Sequence, residues 1–429
     1  MKHGTIWPAI LVSLLFVEGW ALFPFERRRF MKCGFGVILC GIFFCSLHSQ
    51  AETLPKPTGK HFVGVTYLSF IDDNRKEIFN STQESDREIT VKTWYPSDRQ
   101  SAPEPYFLQA EAEFVTKYLQ FPSSYKDLIT NASRDVPVSS KENTYPVLIF
   151  SHGWGEHYSQ NTILMEELAS HGYVVFSIAH HYECKFSSFP DGRLVRIAMS
   201  NPRFQKMMRE QMSPTAMGLF EKLKNAGSDE EREQVFLEMS RTLPMILTES
   251  PKYWAEDIAF LIGRLKIMNG EDNRFPNKLD LDRIGVFGMS LGGLATSVIC
   301  ATDGRIKAGV NIDGGFSSAA IKGKYQIPFM FINSKRYLGC GRLLTSQSAN
   351  DCFSLSVKGS DHYNFMDYSI YPVPMVRFLL GPIDGQRTIE IMNVIIPAFF
   401  DKYLKEKPGI DLVEKAKTYS EIEIATNTD

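Results

Sequence analysis

The sequence has few cysteines and almost no net charge, and each shortage excludes a class of protein. Seven cysteines among 429 residues are too few for a scaffold built on disulfides, and no Cys/His spacing typical of zinc occurs. Cys340 and Cys352 flank a polar loop, where a bridge and two free thiols are both compatible with the spacing. The formal net charge is −2, with both signs dispersed along the chain. We therefore expect no nucleic-acid partner, no metal site and no cofactor.

The N-terminus has the pattern of a targeting segment. Residues 31–51 consist of a basic start, an apolar centre and small residues before a cleavage point, as in a secretory signal peptide. A second apolar run, 6–25, precedes this segment, so Met31 is one option for the true start. We interpret 1–51 as a hydrophobic leader and 52–429 as one exported domain, extracellular or periplasmic. An uncleaved membrane anchor is the alternative.

Beyond the leader, apolar runs of strand length alternate with segments of helical period. Residues 147–150 are continuously apolar, as in a strand buried on both faces, and helical spacing follows over 161–172. Residues 87–98 alternate apolar and polar side chains, which predicts an early antiparallel strand. Later strands are predicted over 173–181, 283–288, 306–314, 327–334 and 352–360, with helices over 253–266, 290–301 and 388–405. This alternation predicts an α/β fold with a mostly parallel sheet covered by helices on both faces.

One segment, about 186–250, interrupts this alternation. It has little β character and contains seven methionines. We interpret it as a helical insertion. Methionine-rich helical surfaces suit adaptable apolar binding, so the insertion is a candidate for gating a site or touching lipid. Packing in the core of the insertion is the alternative interpretation of the same residues.

The stretch Gly288-Met289-Ser290-Leu291-Gly292 joins a predicted strand to a predicted helix. Glycine two residues before and two residues after Ser290 removes side chains where a sharp turn brings backbone close together. Such a turn lifts the serine hydroxyl above the carboxyl edge of the sheet, beside the free N–H groups of the helix N-terminus. Ser290 is therefore the predicted nucleophile.

A serine nucleophile needs a histidine as its base and an acid that orients the histidine. For this type of turn, the acid comes after the serine in the sequence and the histidine comes last. His362 is the one histidine after Ser290, and it follows a predicted strand, as a base carried on a loop should. Asp313 ends the run 306–312 at the same rim of the sheet, and its role would be to orient the imidazole. Three other aspartates in the interval lie in a turn, at the wrong edge of the sheet or directly beside the histidine: Asp303, Asp351 and Asp361.

Acyl transfer also needs two N–H donors for the developing oxyanion, each worth about 3–4 kcal/mol of barrier. The Leu291 amide, after the nucleophile, is the first candidate. The loop "SHGWG" after the strand at 147–150 offers the second, with Trp154 as the donor. Four side chains near the predicted rim are candidates for contact with substrate, with structural turn or loop roles as the alternative for the histidines: Met289, His152, His180 and His181.

The ordered segments "FSHGWG", "FGMSLGG", "VNIDG", "IPFMFINS" and "KGSDHYNFMD" give this sequence a family resemblance. Over roughly residues 58–405 the chain resembles the platelet-activating-factor acetylhydrolases of the plasma type, which are calcium-independent serine phospholipases A2 with the α/β-hydrolase fold. The resemblance implies the same triad and the same two oxyanion donors. Met289 stands where histidine is usual, and Leu291 and Trp154 replace Phe and Leu, which alters the shape of the pocket while leaving the backbone donors in place.

These observations favour a secreted serine esterase that hydrolyses the short or oxidised sn-2 acyl ester of phospholipids. Its partners would be that substrate and, by peripheral contact, a membrane or lipoprotein surface. A carboxylesterase or polyester hydrolase with the same triad is the alternative. A hydrolase fold used only for binding is a third hypothesis, although neither the nucleophile nor the histidine is missing.

Overall fold

The computed structural model describes residues 53–80, 84–271, 274–315, 325–335, 340–346, 348–374 and 376–427. The predicted leader, 1–51, lies outside the described residues. Within those ranges, none of the helices combines the length and the apolar character that crossing a bilayer requires.

Thirteen strands occur in the described part of the chain. In chain order they are β1 (Phe62–Lys76), β2 (Asp86–Ser97), β3 (Pro103–Pro105), β4 (Ile129–Arg134), β5 (Tyr145–Ser151), β6 (Val174–Ala179), β7 (Phe186–Ser188), β8 (Leu194–Arg196), β9 (Leu279–Met289), β10 (Ile306–Ile312), β11 (Phe329–Asn333), β12 (Cys352–Val357) and β13 (Ile422–Thr426). Eleven of them form one sheet in the order β13-β12-β11-β10-β9-β5-β6-β2-β1-β4-β3, while β7 and β8 pair separately as a hairpin.

The centre of the sheet is parallel and its flanks are mixed. The six neighbours β6-β5-β9-β10-β11-β12 all run in one direction. Antiparallel pairing joins β2 to β6, β1 to β2 and β13 to β12. Every residue of β5 and β6 is buried, as continuous apolar runs in a sheet covered on both faces require. The predicted mostly parallel sheet of an α/β fold is confirmed.

Ten α-helices accompany these strands in the described ranges: α1 (Gln109–Tyr118), α2 (Thr162–Ser170), α3 (Pro202–Gln211), α4 (Pro214–Asn225), α5 (Asp229–Thr242), α6 (Ser250–Glu271), α7 (Leu291–Thr302), α8 (Gly341–Thr345), α9 (Gly385–Tyr403) and α10 (Leu412–Lys417). Successive side chains of a strand point to opposite faces of the sheet. Accordingly, Ile149 of β5 packs in one apolar cluster with Leu261 of α6, and Phe150 packs in another with Phe400 of α9. The core therefore has two layers, one on each face of the sheet.

Helices α3, α4 and α5 occupy most of the segment interpreted as a helical insertion, and the hairpin of β7 and β8 begins it. Each of the three helices starts at a side chain that accepts a backbone N–H: Asn201, Ser213 and Ser228. Some methionines of this segment fit packing in the core and others fit an exposed apolar binding surface. Met207 and Met239 are buried in the core, whereas Met212 and Met217 are 44% and 40% exposed.

The cysteines of the described chain are thiols that do not form bridges. Cys184, Cys300, Cys340 and Cys352 are free and buried, so Cys340 and Cys352 are not joined. Burial raises the pKa of the Cys340 thiol to about 11, which leaves little of the reactive thiolate near neutral pH.

Candidate active site

Ser290 lies on a sharp turn between β9 and α7. Its backbone has φ 58° and ψ −119°, a conformation that residues other than glycine rarely adopt. A Cβ on Gly288 would stand 2.3 Å from the Gly292 carbonyl oxygen, and one on Gly292 would stand 2.0 Å from the Ser151 carbonyl oxygen. Only glycine fits at either position, because backbone occupies the space. The strained turn has the geometry that the G-x-S-x-G pattern indicates.

Ser290 and Asp313 follow neighbouring parallel strands, β9 and β10. The Ser290 N–H donates to the Ile312 carbonyl at 2.8 Å, which ties the Ser290 turn to the end of β10. A Cβ on Gly314 would lie 2.4 Å from the Ser290 carbonyl oxygen, so the loop after Asp313 also passes close to the turn. Asp313 itself has a positive φ of 50°. Both residues therefore occupy the carboxyl edge of the sheet, as the sequence predicts.

Asp313 and His362 are directly joined. The distance between His362 Nδ1 and Asp313 Oδ2 is 2.5 Å. Asp313 also accepts the Ser334 N–H at 2.7 Å and the Ser334 hydroxyl at 3.0 Å, and its side chain is buried. An ionised carboxylate can only accept, so the Nδ1 proton points at Asp313 and Nε2 is left as the nitrogen that can take a proton. This is the arrangement of a general base with its orienting acid.

The other aspartates between the serine and the histidine are engaged elsewhere. Asp303 bonds to a guanidinium two residues away at the end of α7, and Asp351 accepts a tyrosine hydroxyl. Asp361 accepts the backbone N–H of His362 rather than an imidazole proton. Of the four aspartates, the one that contacts the His362 ring is therefore Asp313, which the sequence also selects.

The loop after β5 lies against Ser290. A Cβ on Gly153 would be 3.5 Å from the Ser290 Cβ. In the described part of the chain, neither the Trp154 amide nor the Leu291 amide donates to another protein group. Leu291 is the first residue of α7, where an N–H has no partner within the helix. Two unused backbone donors near one serine are what an oxyanion needs.

The Trp154 side chain connects this loop to the insertion. Its indole stacks on Phe204 of α3, with ring centroids 5.2 Å apart and an interplanar angle of 29°. Phe204 is buried in the apolar cluster on the sheet face that carries α6. The helical insertion is therefore in direct contact with the residue predicted to supply the second oxyanion donor.

Four side chains that were predicted to contact substrate lie behind the rim instead. Met289, His152 and His180 are 0% exposed and His181 is 1% exposed. The histidine rings bond within the protein: His152 Nδ1 to the Gly153 carbonyl at 2.7 Å, and His181 Nε2 to the Thr90 hydroxyl at 2.9 Å. The prediction of substrate contact is therefore revised: these four side chains are buried in the core behind the rim.

Sequence reasoning missed three residues that hold the site. Ser334 gives Asp313 two hydrogen bonds, and the Gln160 side chain accepts the Gly153 N–H at 2.9 Å. Asp257 of α6 bonds to His180 Nδ1 at 2.7 Å. Ser334 is the last residue of the predicted strand 327–334, and this position at a strand end is a usable signal, whereas no local pattern marks the other two. Within the described ranges, no group of His, Cys, Asp and Glu side chains is arranged to hold a metal ion.

Comparison with known proteins places the chain in a family. The model of the family "Platelet-activating factor acetylhydrolase, isoform II" matches residues 46–418. A platelet-activating factor acetylhydrolase of Cavia porcellus is 25% identical over 385 residues, covering 82% of this chain and 78% of its own. That of Gallus gallus is 24% identical and covers 90% and 92%. A protein of Arthroderma benhamiae named "Probable 1-alkyl-2-acetylglycerophosphocholine esterase" is 24% identical, covering 67% and 66%.

A solved structure supports the same fold. The ferulic acid esterase from Streptomyces cinnamoneus superposes with a TM-score of 0.66 at 20% identity, covering 87% of this chain and 99% of its own. At that identity the likeness shows the α/β-hydrolase fold alone, whereas the family match spans most of the sequence. The chain therefore belongs to the platelet-activating factor acetylhydrolase isoform II family and is a serine-type carboxylic ester hydrolase with the α/β-hydrolase fold.

Proposed function

We propose that this enzyme removes a short or oxidised sn-2 acyl group from phospholipids, without calcium, through an acyl-Ser290 intermediate. The observation that carries the chemical part is the 2.5 Å hydrogen bond between Asp313 and His362, at the edge of the sheet where the strained Ser290 turn lies. The names of the relatives, acetylhydrolase and 1-alkyl-2-acetylglycerophosphocholine esterase, support the substrate class.

The first half of the reaction forms the acyl-enzyme. His362 Nε2 takes the proton from the Ser290 hydroxyl while its oxygen bonds to the ester carbonyl carbon. The Leu291 and Trp154 amides donate to the resulting oxyanion. When the intermediate collapses, the bond to the glycerol oxygen breaks, and His362 returns its proton to that oxygen to release the lysophospholipid. The acyl group remains on Ser290.

The second half repeats these steps with water. His362 Nε2 takes a proton from a water molecule as the water oxygen bonds to the acyl carbon. Collapse of the second oxyanion breaks the bond to Ser290, which regains a proton from His362. The products are a carboxylic acid and the free enzyme. Asp313 keeps the imidazole in the required tautomer and stabilises its positive charge in both halves.

Peripheral contact with a lipid surface is part of the proposal. Phe378 is 89% exposed, in the 3₁₀ turn Val376–Leu379 that follows the His362 loop along the chain. A large aromatic side chain so exposed suits insertion into a lipid interface. We propose that this turn docks on a membrane or lipoprotein surface and so brings phospholipid to the serine.

The substrate test compares three esters at equal concentration: an sn-2 acetyl phosphocholine, its sn-2 palmitoyl counterpart and p-nitrophenyl acetate, each with and without EDTA. The proposal predicts turnover of the acetyl phospholipid and the small ester, little turnover of the palmitoyl form, and no effect of EDTA. Turnover of p-nitrophenyl acetate alone would assign a carboxylesterase instead. Absence of any turnover in the folded protein would leave the binding protein as the remaining hypothesis.

Export is proposed on the sequence pattern of residues 31–51. Expression of the full chain with its own N-terminus, followed by intact mass measurement of secreted protein, would give a mature chain that begins at Glu52. Retention of the full-length chain in the membrane fraction would favour the anchor.

A further inference from the structure

A second set of hydrogen bonds joins an aspartate, a histidine and a serine at the end of β5. Asp257 Oδ2 is 2.7 Å from His180 Nδ1, and His180 Nε2 is 3.1 Å from Ser151 Oγ. The connectivity is that of a catalytic triad, but each of the three side chains is 0% exposed. No ester can reach Ser151, so any effect of this network must pass through the backbone that it holds.

Two arginines anchor the aspartate. Arg87 donates to both carboxylate oxygens of Asp257, at 3.1 Å and 2.6 Å, and Arg75 donates at 2.8 Å. Burial opposes ionisation of Asp257, but the Arg87 charge and the hydrogen bond with His180 outweigh it and hold the pKa of this carboxyl below its ordinary range. Burial lowers the pKa of His180 to about 4, so a neutral imidazole donates from Nδ1 to a carboxylate.

The network reaches the oxyanion loop through His152. The backbone N–H of His180, rather than its ring, donates to His152 Nε2 at 3.2 Å, and His152 Nδ1 is 2.7 Å from the Gly153 carbonyl oxygen. His152 therefore accepts at Nε2 and donates at Nδ1, which defines its neutral tautomer. The rings of His152 and His180 also pack against each other and against Trp254, with His180 stacked on the indole at 4.0 Å.

The Gly153 carbonyl and the Trp154 N–H belong to one peptide group. That group is planar and trans, so its N–H points away from its carbonyl. The Gly153 carbonyl bonds to the His152 ring and also accepts the Glu156 N–H at 3.0 Å. Holding the carbonyl on that side aims the Trp154 N–H toward the opposite side. Rotation of the same peptide would turn the carbonyl oxygen, instead of a donor, toward a developing oxyanion.

We propose that His180, held by Asp257, is a positioning residue that orients the Trp154 oxyanion donor through Ser151 and His152. This inference rests on the proposed function, in which Trp154 supplies that donor. The His180 side chain therefore affects stabilisation of the transition state and leaves substrate binding almost unchanged, because the oxyanion forms only during the reaction.

The test compares His180→Asn with the matched variant His181→Asn. Both histidines are fully buried and adjacent, but His181 bonds to Thr90 and packs on Phe189 rather than supporting the loop. With p-nitrophenyl acetate we expect His180→Asn to lose about tenfold or more in kcat with KM within about twofold. Affinity for a trifluoromethyl ketone, which mimics the tetrahedral intermediate, should fall by the same factor as kcat/KM. His181→Asn should keep kcat within about twofold, even where its melting temperature falls.

Two further variants keep the inference testable if His180→Asn does not fold. Ser151→Ala removes one hydroxyl and should lower kcat about three- to tenfold at constant KM. His180→Gln, whose longer amide can still reach Ser151, should retain more kcat than His180→Asn. Wild-type kcat and ketone affinity in the folded His180 and Ser151 variants would overturn the inference while Ser290→Ala remains inactive. Full activity of Ser290→Ala would instead overturn the proposed function itself.

Discussion

Asp313 and His362 are 49 residues apart in the sequence and share a hydrogen bond of 2.5 Å. The contact forms because β10 places Asp313 at the carboxyl edge of the sheet, while the loop after β12 returns His362 to the same edge. Ser334, directly after β11, completes the surroundings of the carboxylate with two hydrogen bonds. The ends of the three parallel strands β10, β11 and β12 therefore together position the His362 imidazole.

The first prediction concerns this pair. Asp313→Asn replaces the carboxylate that accepts the His362 Nδ1 proton with a neutral amide. The amide can also donate, so it no longer enforces the tautomer of His362 that carries its proton on Nδ1. We expect kcat for p-nitrophenyl acetate to fall about 10³–10⁴-fold, with little change in KM. Asp351→Asn is the control, since Asp351 contacts Tyr403 on the periphery and should retain full kcat. Equal kcat in wild type and Asp313→Asn would remove Asp313 from the mechanism.

A second prediction addresses lipid contact. Phe378→Ser removes an aromatic side chain that is 89% exposed, and we expect binding to phosphatidylcholine vesicles to weaken about 10- to 150-fold, because burying such a ring is worth about 1.5–3 kcal/mol. Hydrolysis of soluble p-nitrophenyl acetate should not change. Phe62→Ser, at the start of β1 and 51% exposed, is the matched control that should bind vesicles normally. If both variants weakened binding equally, the docking surface would lie elsewhere.

The nucleophile turn gives a third prediction. Gly292→Ala would place a Cβ 2.0 Å from the Ser151 carbonyl oxygen and 2.5 Å from that of His152, both of them backbone atoms. We expect a loss of about 1–3 kcal/mol in the free energy of unfolding and a large loss of kcat. Gly304→Ala, where an added Cβ meets nothing within 4 Å, should be neutral. Urea unfolding with parallel kinetics checks both variants, and normal stability of Gly292→Ala would contradict the close packing of the loop on the turn.

A fourth prediction concerns pH and stability. Burial raises the pKa of Glu183 to about 7, against hydrogen bonds from Trp254 and Ser250 that favour the carboxylate. A carboxyl with a raised pKa in the folded state stabilises the fold when protonated. That stabilisation is complete below the unfolded pKa of about 4.5 and is lost as pH rises toward 7.

Glu183→Gln preserves the shape of the side chain and removes its titration. We therefore expect the variant to gain stability relative to wild type between pH 5 and pH 8, by up to about 3 kcal/mol. Urea unfolding at the two pH values measures the change. A difference between variant and wild type that is independent of pH would show that Glu183 does not titrate in this window.

Much of the site could be predicted because its signals are local. The apolar run at 147–150, the glycines around Ser290 and the position of Asp313 after an apolar run each report on a strand end. The buried support could not be predicted in this way. His180 bonds to Asp257, which is 77 residues away, and Asp257 pairs with Arg87 over 170 residues, so no sequence window contains both partners. The sequence predicts His152 and His180 to face the pocket because both lie at the rim of the sheet. A rim position does not show whether a side chain points into the pocket or back into the core, where these two find their hydrogen-bond partners.

The separate hairpin and the edge strand β13 of the sheet were also missed. The hairpin strands β7 and β8 contain three residues each, too few to show a period of two. In β13 apolar and polar residues alternate only over Ile422-Glu423-Ile424, and the strand has five residues, so its period of two is too short to stand out. The fully buried parallel strands were found more readily, because a continuous apolar run is a stronger signal than a partly exposed edge.

Covalent labelling tests the central claim most directly. The enzyme is incubated with a fluorophosphonate, digested and analysed by peptide mass spectrometry, with Ser290→Ala and His362→Ala treated in parallel. The account predicts one adduct, on the peptide that contains Ser290, with no adduct in Ser290→Ala and very slow labelling in His362→Ala. An adduct on another residue of the wild type, together with undiminished ester hydrolysis by Ser290→Ala, would contradict it.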